Sequence, residues 1–503
     1  MHDLLPLLPG NIDDVLNGIP YFMPEIYLSI LFLVVLVTDL IFGRDSERLC
    51  RIIACAGLLL VARNDYQQIN LLLFSGQVNG RFLFSGMLLL THTAISFKLV
   101  IDVLAFALLL YFDWDDKLKA HPKGLSDLYT IAIGAVFSLH LMTMAANLLS
   151  IYLSIEMVSI ASYLMVAYRS ENAFSTEAGL KYVLFGAAAS ALMLYGISLL
   201  YGFGGTLALY SGNMLATMSH ANTLAVSVAL FLVLAGIGFK LSFVPLHFWV
   251  PDVYQGAPTP VTAWLSTLPK LTGFALLINF LRPFIYYTGW SGFDFQYYLA
   301  IIAIITMIAG NFAAIWQKNI KRMLAYSSIG HTGFALMAIV VFRPESFSAL
   351  VFYLAVYGIG NIGALALATY FANAADAETT DTYKGLGFKF PAASVCWVII
   401  LVSLTGLPVT AGFSGKLLIF STTYGFYQQV HNPLLLALLI TGAVTTIVSL
   451  FYYIKIPRNL FLKRGQNLEN NSYRAVNLVV FSIIIVVLIV LLGIKPDLLI
   501  NHI

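Results

Sequence analysis

Apolar runs about 20 residues long, the length a helix needs to cross a hydrocarbon core of roughly 30 Å, follow one another along almost all of this 503-residue chain. Only short polar breaks separate them, and no soluble domain fits in between. Inside lipid every backbone N–H and C=O must be satisfied within the segment, which leaves helices as the spanning structure. Composition agrees, since 60% of the residues are hydrophobic, only 10% are charged and the mean hydropathy is +0.87, whereas a soluble domain carries roughly a quarter charged residues. The pattern therefore predicts an all-α polytopic membrane protein of about 14 transmembrane helices. A net charge of +3, scattered between apolar runs, argues against nucleic acid as a partner. Cys50, Cys55 and Cys396 form no CxxC pair and no Cys/His spacing, so neither a metal site nor a redox centre is expected in this chain. The segment Met1 to Pro20 lacks the basic start and small-residue cleavage site of a signal peptide, so the first long helix is expected to be retained.

Four units are predicted: 1–124 with helices 1 to 3, 125–285 with helices 4 to 8, 297–456 with helices 9 to 13, and 457–503 with a loop and helix 14. Each middle unit holds five spans, and an odd number inverts the second relative to the first. Two inverted five-helix repeats, each with a broken helix, are the mark of transport machinery with ion sites near the midplane. One break is predicted at Gly406 to Lys416, because the run 391–428 would extend near 57 Å as one straight helix at ~1.5 Å per residue. Pro408 and the glycines around it interrupt that run. A second break is predicted at Gly236-Ile237-Gly238-Phe239-Lys240, ahead of Pro245. Basic residues collect on the cytoplasmic side. Placing both termini outside puts most of them there, including Arg48, Arg51, Lys117, Lys119, Arg169, Lys321, Arg322 and Lys384. Lys98 falls on the opposite, outer face in this reading.

Five charges lie within predicted spans: Glu156, Lys181, Lys240, Lys270 and Lys416. A charge at the bilayer centre costs at least about 2.5 to 3.5 kcal/mol, so each needs a reason. Burial weakens the charged form of both acids and amines, and an opposed pair restores it. A group whose partner approaches or retreats is thus a proton switch. Glu156 is the only carboxylate placed near a midplane. A static Glu156–Lys240 ion pair is the alternative, Lys181 could instead pair with Glu177 four residues earlier, and Lys270 could snorkel. His331, beside Tyr326, Ser327 and Ser328, suits a relay or a simple interhelical bond. His140 and Asp102 are weaker candidates, Asp102 as a possible helix cap.

The motifs resemble the antiporter-like proton-translocating subunits of respiratory complex I, and within them the subunit N branch of bacterial NADH:quinone oxidoreductase. Three stretches carry the resemblance, within about 125–456 most strongly. They are Leu153 to Ser159 with Glu177 to Tyr182, Phe239-Lys240 through Pro245-Leu246-His247-Phe248-Trp249 to Val261, and Leu404 to Pro408 with Ala411-Gly412-Phe413 and Lys416. The resemblance implies that Glu156 and Lys240 pair in a first half-channel, Lys270 connects on a central axis, Lys416 releases the proton, and Lys181 modulates.

A proton-translocating subunit of NADH:quinone oxidoreductase in the inner (plasma) membrane is therefore expected. Other membrane subunits of complex I would be its partners. NADH, FMN, iron–sulfur clusters and quinone would sit in partner subunits, since the chain has no nucleotide or flavin motif. An Mrp-type cation/proton antiporter subunit is the alternative, and a structural scaffold with charges as interhelical clasps is a second.

Overall fold

The computed structural model describes residues 8–74, 80–290, 292–464 and 475–501. The ends of the first and last predicted units, and 465–474 within the last, lie outside the described residues. Long helices begin where a polar side chain can satisfy the first free amides and end where the backbone can turn left-handed. The N-terminal group is α1 (Met23–Phe42), α2 (Glu47–Phe74) and α3 (His92–Phe112). Between α2 and α3, Arg81–Leu83 pairs antiparallel with Leu88–Leu90. This hairpin departs from the all-α expectation, its strands being far shorter than any run read as a span. It has a structural task, because the Met87 carbonyl accepts from Ser150 Oγ at 2.6 Å and from the Ala146 amide at 3.1 Å.

The next group is α4 (Ser126–Met144), α5 (Leu148–Val166), α6 (Ala173–Gly204), α7 (Thr223–Leu241), the short α8 (Val250–Gly256) and α9 (Thr259–Tyr286). Then come α10 (Phe295–Ile315), α11 (Ile320–Val341), α12 (Pro344–Ala375), α13 (Pro391–Thr405), α14 (Ala411–Val430) and α15 (Pro433–Tyr453), with α16 (Val476–Ile494) last. Asn147, Asn172, Asn222, Asp294, Asn319 and Asn432 cap the helices that follow them. Twelve helices among the described residues are long and apolar enough to cross a membrane. The 28-residue α2 and the 20-residue α14 fall outside that set on composition, and the 15-residue α13 is too short by itself. Length and apolarity therefore do not fix the predicted number of crossings.

Helices α9, α11 and α12 are buried along nearly their whole length, while α6 and α16 show leucine, isoleucine and valine to the outside. The break predicted near Gly406 is present. Gly406 ends α13 at φ +86, a conformation without strain only for glycine, and α14 starts at Ala411. The other break needs correcting. Helix α7 runs through Gly236 and Gly238 without interruption to Leu241, and the chain leaves helix only from Ser242. Those glycines serve close packing, since a Cβ on Gly238 would lie 2.3 Å from the Phe243 ring and one on Gly236 2.5 Å from the Met193 sulfur.

The tightest approach to backbone is at the α13–α14 break, where a Cβ on Gly412 would lie 1.8 Å from the Ser403 carbonyl oxygen. Backbone, not a flexible side chain, blocks that space. Gly412→Ala is therefore expected to push α14 off the end of α13 and lower the yield of assembled protein several-fold at unchanged expression. Quantitative native electrophoresis checks this, and Gly425→Ala, with nothing within 4 Å, is the control.

Candidate functional site

The central helix α9 keeps two prolines in its interior, Pro269 and Pro283. Each removes the amide that would serve the carbonyl four residues earlier. Tyrosine hydroxyls take over both, Tyr254 donating to Leu265 O at 3.1 Å and Tyr210 to Asn279 O at 2.9 Å. The helix thus stays straight enough to carry Lys270 at mid-bundle, 3% exposed. There the ammonium donates to Ser328 Oγ at 2.5 Å, Ser328 O at 2.9 Å and Thr332 Oγ1 at 3.0 Å, all on α11. No carboxylate forms an ion pair with it among the described residues, and it does not snorkel.

The ends of the broken helices bring the other lysines to the same level. At the end of α7, Trp249 Nε1 donates to Phe239 O at 3.2 Å and Thr332 Oγ1 to Leu241 O at 3.1 Å, tying the last turn to its neighbours. Lys240, buried, donates to Ser159 Oγ at 3.1 Å and lies 5.9 Å from the Tyr182 ring. At the end of α13, Lys416 Nζ donates to Thr405 O at 2.7 Å, a cation at the negative end of a helix. Its Nζ is also 4.8 Å from the Phe334 ring centroid.

These contacts join into one line. Thr332 touches both Lys270 and the carbonyl next to Lys240. His331, its neighbour on α11, bonds through Nδ1 to Tyr353 OH at 2.7 Å and through Nε2 to Tyr453 OH at 3.5 Å, and Tyr453 bonds to Ser327. Tyr353 packs against Gly415, beside Lys416. Polar contacts thus join Lys270 to the end of α7 through Thr332 on α11, and the neighbouring His331 reaches the helix of Lys416 through the packing of Tyr353 on Gly415. Glu156 stands one helical turn from Ser159, half-buried, and accepts from Ser190 Oγ. A static Glu156–Lys240 ion pair is absent. Lys181 lies apart from this line, 38% exposed, bonded to Glu177 at 2.9 Å and Asp252 at 3.1 Å, and Arg322 shares Asp252 at 2.5 Å. Burial pushes the Asp252 carboxyl up, but hydrogen bonds from Arg322 and Lys181 outweigh it and hold the group below the usual carboxylate range.

At the helix starts marked by Thr259 and Asn319, a cavity of about 500 Å³ is lined by Asp115, Lys117, Arg169, Thr259, Lys321 and Glu378 among others. Burial pushes the Asp115 carboxyl above its usual range, against the Leu118 amide and the Lys321 charge that pull it down.

The structure adds acids that the sequence reading did not single out as a site, and corrects one reading. Glu156 is only half-buried, whereas Glu25, Asp65 and Asp102 are fully enclosed. Lys98 is buried between Glu25 at 2.6 Å and Asp65 at 2.5 Å. Asp102 caps nothing, lying inside α3 and bonded to His140 Nε2 at 3.0 Å. Glu25 stands in the first turn of α1, while Asp65 and Asp102 lie inside α2 and α3. A signal was present in Asp65-Tyr66-Gln67-Gln68, polar residues inside a 28-residue helix of about 42 Å at ~1.5 Å per residue, longer than the lipid core.

The family model described as NADH:quinone oxidoreductase/Mrp antiporter, transmembrane, matches residues 145–446. The chain is 37% identical over 467 residues to NADH-quinone oxidoreductase subunit N 2 of Chloroherpeton thalassium, covering 91% of this chain and 89% of that protein. It belongs to this family, in its subunit N branch. NAD(P)H-quinone oxidoreductase subunit 2 of Microcystis aeruginosa is 35% identical over 460 residues, covering 90% and 86%. Among solved structures, a chain of respiratory complex I from Thermus thermophilus with bound aureothin superposes with a TM-score of 0.74 at 27% identity, covering 95% of this chain and 98% of that one. A chain of the Mrp complex from Dietzia sp. DQ12-45-1b shares the fold, with a TM-score of 0.78 at 17% identity and 95% of each chain covered. The matched stretch 145–446 contains Glu156, Lys181, Lys240, Lys270, His331 and Lys416, whereas Glu25, Asp65, Lys98, Asp102 and His140 lie before its first residue.

Proposed function

We propose that this subunit N family member translocates protons, driven by electron transfer in partner subunits, along Glu156, Lys240, Lys270, His331 and Lys416. The single observation that carries the reading is Lys270 itself, an amine sealed inside the bundle on neutral hydroxyl and carbonyl groups only. An ion-pair clasp would hold such a lysine permanently charged against an acid, whereas a hydroxyl cage accommodates both its forms. Lys240 and Lys416 are caged in the same way, by Ser159 and by Thr405 O. Each proton moved against the membrane potential requires roughly 2.3 kcal/mol per 100 mV. Several coupled amines share that load.

In this reading 125–285 and 297–456 are inverted repeats. Their helix order supports it: α6 and α12 are each 32 residues long, and α7–α8 and α13–α14 are each interrupted before a buried helix or lysine is reached. Glu156 and Ser328 lie equally far along the chain from the asparagines that cap α5 and α11, as do Ser159 and His331. The polar cavity by Thr259 is the entrance, about 16 Å along α9 from Lys270 at ~1.5 Å per residue, and it opens among the basic residues assigned to the cytoplasmic side. Lys181 acts on the line indirectly, by holding α8 through Asp252. NADH, FMN, iron–sulfur clusters and quinone belong to partner subunits of an inner-membrane complex with both termini of this chain outside, and this chain itself holds no redox centre.

Lys240→Ala tests the assignment. Its hydrogen-bond partner Ser159 is neutral and Glu156 makes no ion pair with it, so the variant is expected to assemble normally and to lose proton pumping per NADH oxidised, measured by a pH-sensitive dye in proteoliposomes. Reduced assembly with unchanged pumping per complex would favour the scaffold. Purification without iron–sulfur and flavin subunits would favour the Mrp-type cation/proton antiporter.

A further inference from the structure

Outside that line, the N-terminal helices enclose a cluster of five ionisable side chains with no exposure to speak of: Glu25 on α1, Asp65 on α2, Lys98 and Asp102 on α3, and His140 on α4. Gln68 adds a neutral contact, its Oε1 accepting from Lys98 Nζ at 2.9 Å. These five groups are the charges that act on one another there. They do not balance. With Lys98 and His140 both cationic, three carboxylates still leave one buried negative charge uncompensated. With His140 neutral they leave two. An uncompensated ion inside a membrane bundle is expensive enough that the group neutralises instead.

Geometry calls for one proton more than a neutral imidazole carries, and charge balance for a further one. His140 presents Nε2 to Asp102 Oδ1 at 3.0 Å and Nδ1 to Glu25 Oε1 at 3.3 Å. Each nitrogen–oxygen contact needs a hydrogen in it, and a neutral imidazole supplies only one. Meanwhile Glu25 Oε2, Asp65 Oδ2 and Asp102 Oδ2 are buried with no hydrogen-bond donor. Asp65 Oδ2 lies 3.9 Å from His140 Nδ1, in the middle of the group. A metal ion is the other cation such a group could take, but the Lys98 ammonium already occupies the space between Glu25 and Asp65. We infer that the Glu25–Asp65–Asp102 cluster around Lys98 and His140 holds an exchangeable proton, a second proton-holding site in the amino-terminal helices. Its neighbourhood joins it to the central helix: Thr143 Oγ1 donates to His140 O at 2.7 Å, and Asn279 Nδ2 of α9 donates to Thr143 O at 2.9 Å.

Infrared difference spectroscopy of the whole purified complex tests this without measuring pumping, so its outcome is separate from that of the proposed function. Wild type minus Asp65→Asn, and wild type minus Asp102→Asn, are expected to show the carbonyl stretch of a protonated carboxylic acid. That band should shift to lower frequency in deuterium oxide and be lost in at least one variant. If Asp65→Asn does not assemble, Asp102→Asn leaves both Lys98 ion pairs in place and decides alone. Absence of any exchangeable acid band in the differences overturns the inference. So does a sodium- or calcium-dependent shift of the carboxylate bands that Asp102→Asn abolishes, since that is the behaviour of a metal site.

Discussion

Lys98→Met is expected to abolish incorporation of this subunit into its complex. The ammonium lies 2.6 Å from Glu25 and 2.5 Å from Asp65, and all three side chains are fully enclosed. Methionine fills the space but removes the only lysine of a group already short of positive charge. The acids then either stay ionised against each other or take up protons against the pH of the medium. Breaking a buried pair by removing one partner costs on the order of 3–5 kcal/mol, and at ~1.4 kcal/mol per factor of ten that is roughly a hundredfold or more in the folded population. Native electrophoresis of solubilised membranes, quantified against total subunit, measures it. Adding Glu25→Gln and Asp65→Asn to Lys98→Met should recover much of the assembly, because no stranded charge remains. Normal assembly of the single variant would show that Lys98 does not hold α1, α2 and α3 together.

Lys270→Met should do the opposite. Its partners are Ser328 and Thr332, so the change strands no charge and leaves unsatisfied only neutral groups, a loss of about 1–3 kcal/mol at most. Assembly should persist. Proton translocation should not, because a positioned proton-transfer group contributes on the order of 10² to 10⁴ in rate and nothing nearby replaces it. Lys270→Arg separates charge from exchange: guanidinium keeps the positive charge but does not release its proton, so it should also fail to pump. The readouts are dye-detected acidification in proteoliposomes and NADH oxidation in the same preparation. A variant that assembles and pumps at the wild-type proton-to-electron ratio would remove Lys270 from the path.

The two lysines show why one site could be read along the chain and the other could not. Lys270 stands in the middle of an apolar run with no local carboxylate, and its isolation marks it. Lys240 and Lys416 stand beside glycine and proline interruptions that mark them as well. Lys98 sits nearly two turns into its helix, Glu25 follows Pro24 at the start of another, and Asp65 lies in a polar stretch, so none stands out by itself. Their meeting depends on how far α2 extends past the lipid core and how α1, α3 and α4 pack around it. Similarly, Gly238 in sequence suggests a helix break, while its contact with Phe243 shows a packing role.

The membrane-spanning helices, the break at Gly406 and the buried lysines of the central region were determined by the sequence alone, because hydrophobic length and the missing proline donor act locally along the chain. Which charges meet was decided only by tertiary structure. Contacts such as Lys98 with Asp65 or Thr332 with Leu241 O join residues far apart in sequence, and an ion or amide inside a bundle is stabilised by whatever the neighbouring helix presents at the same depth.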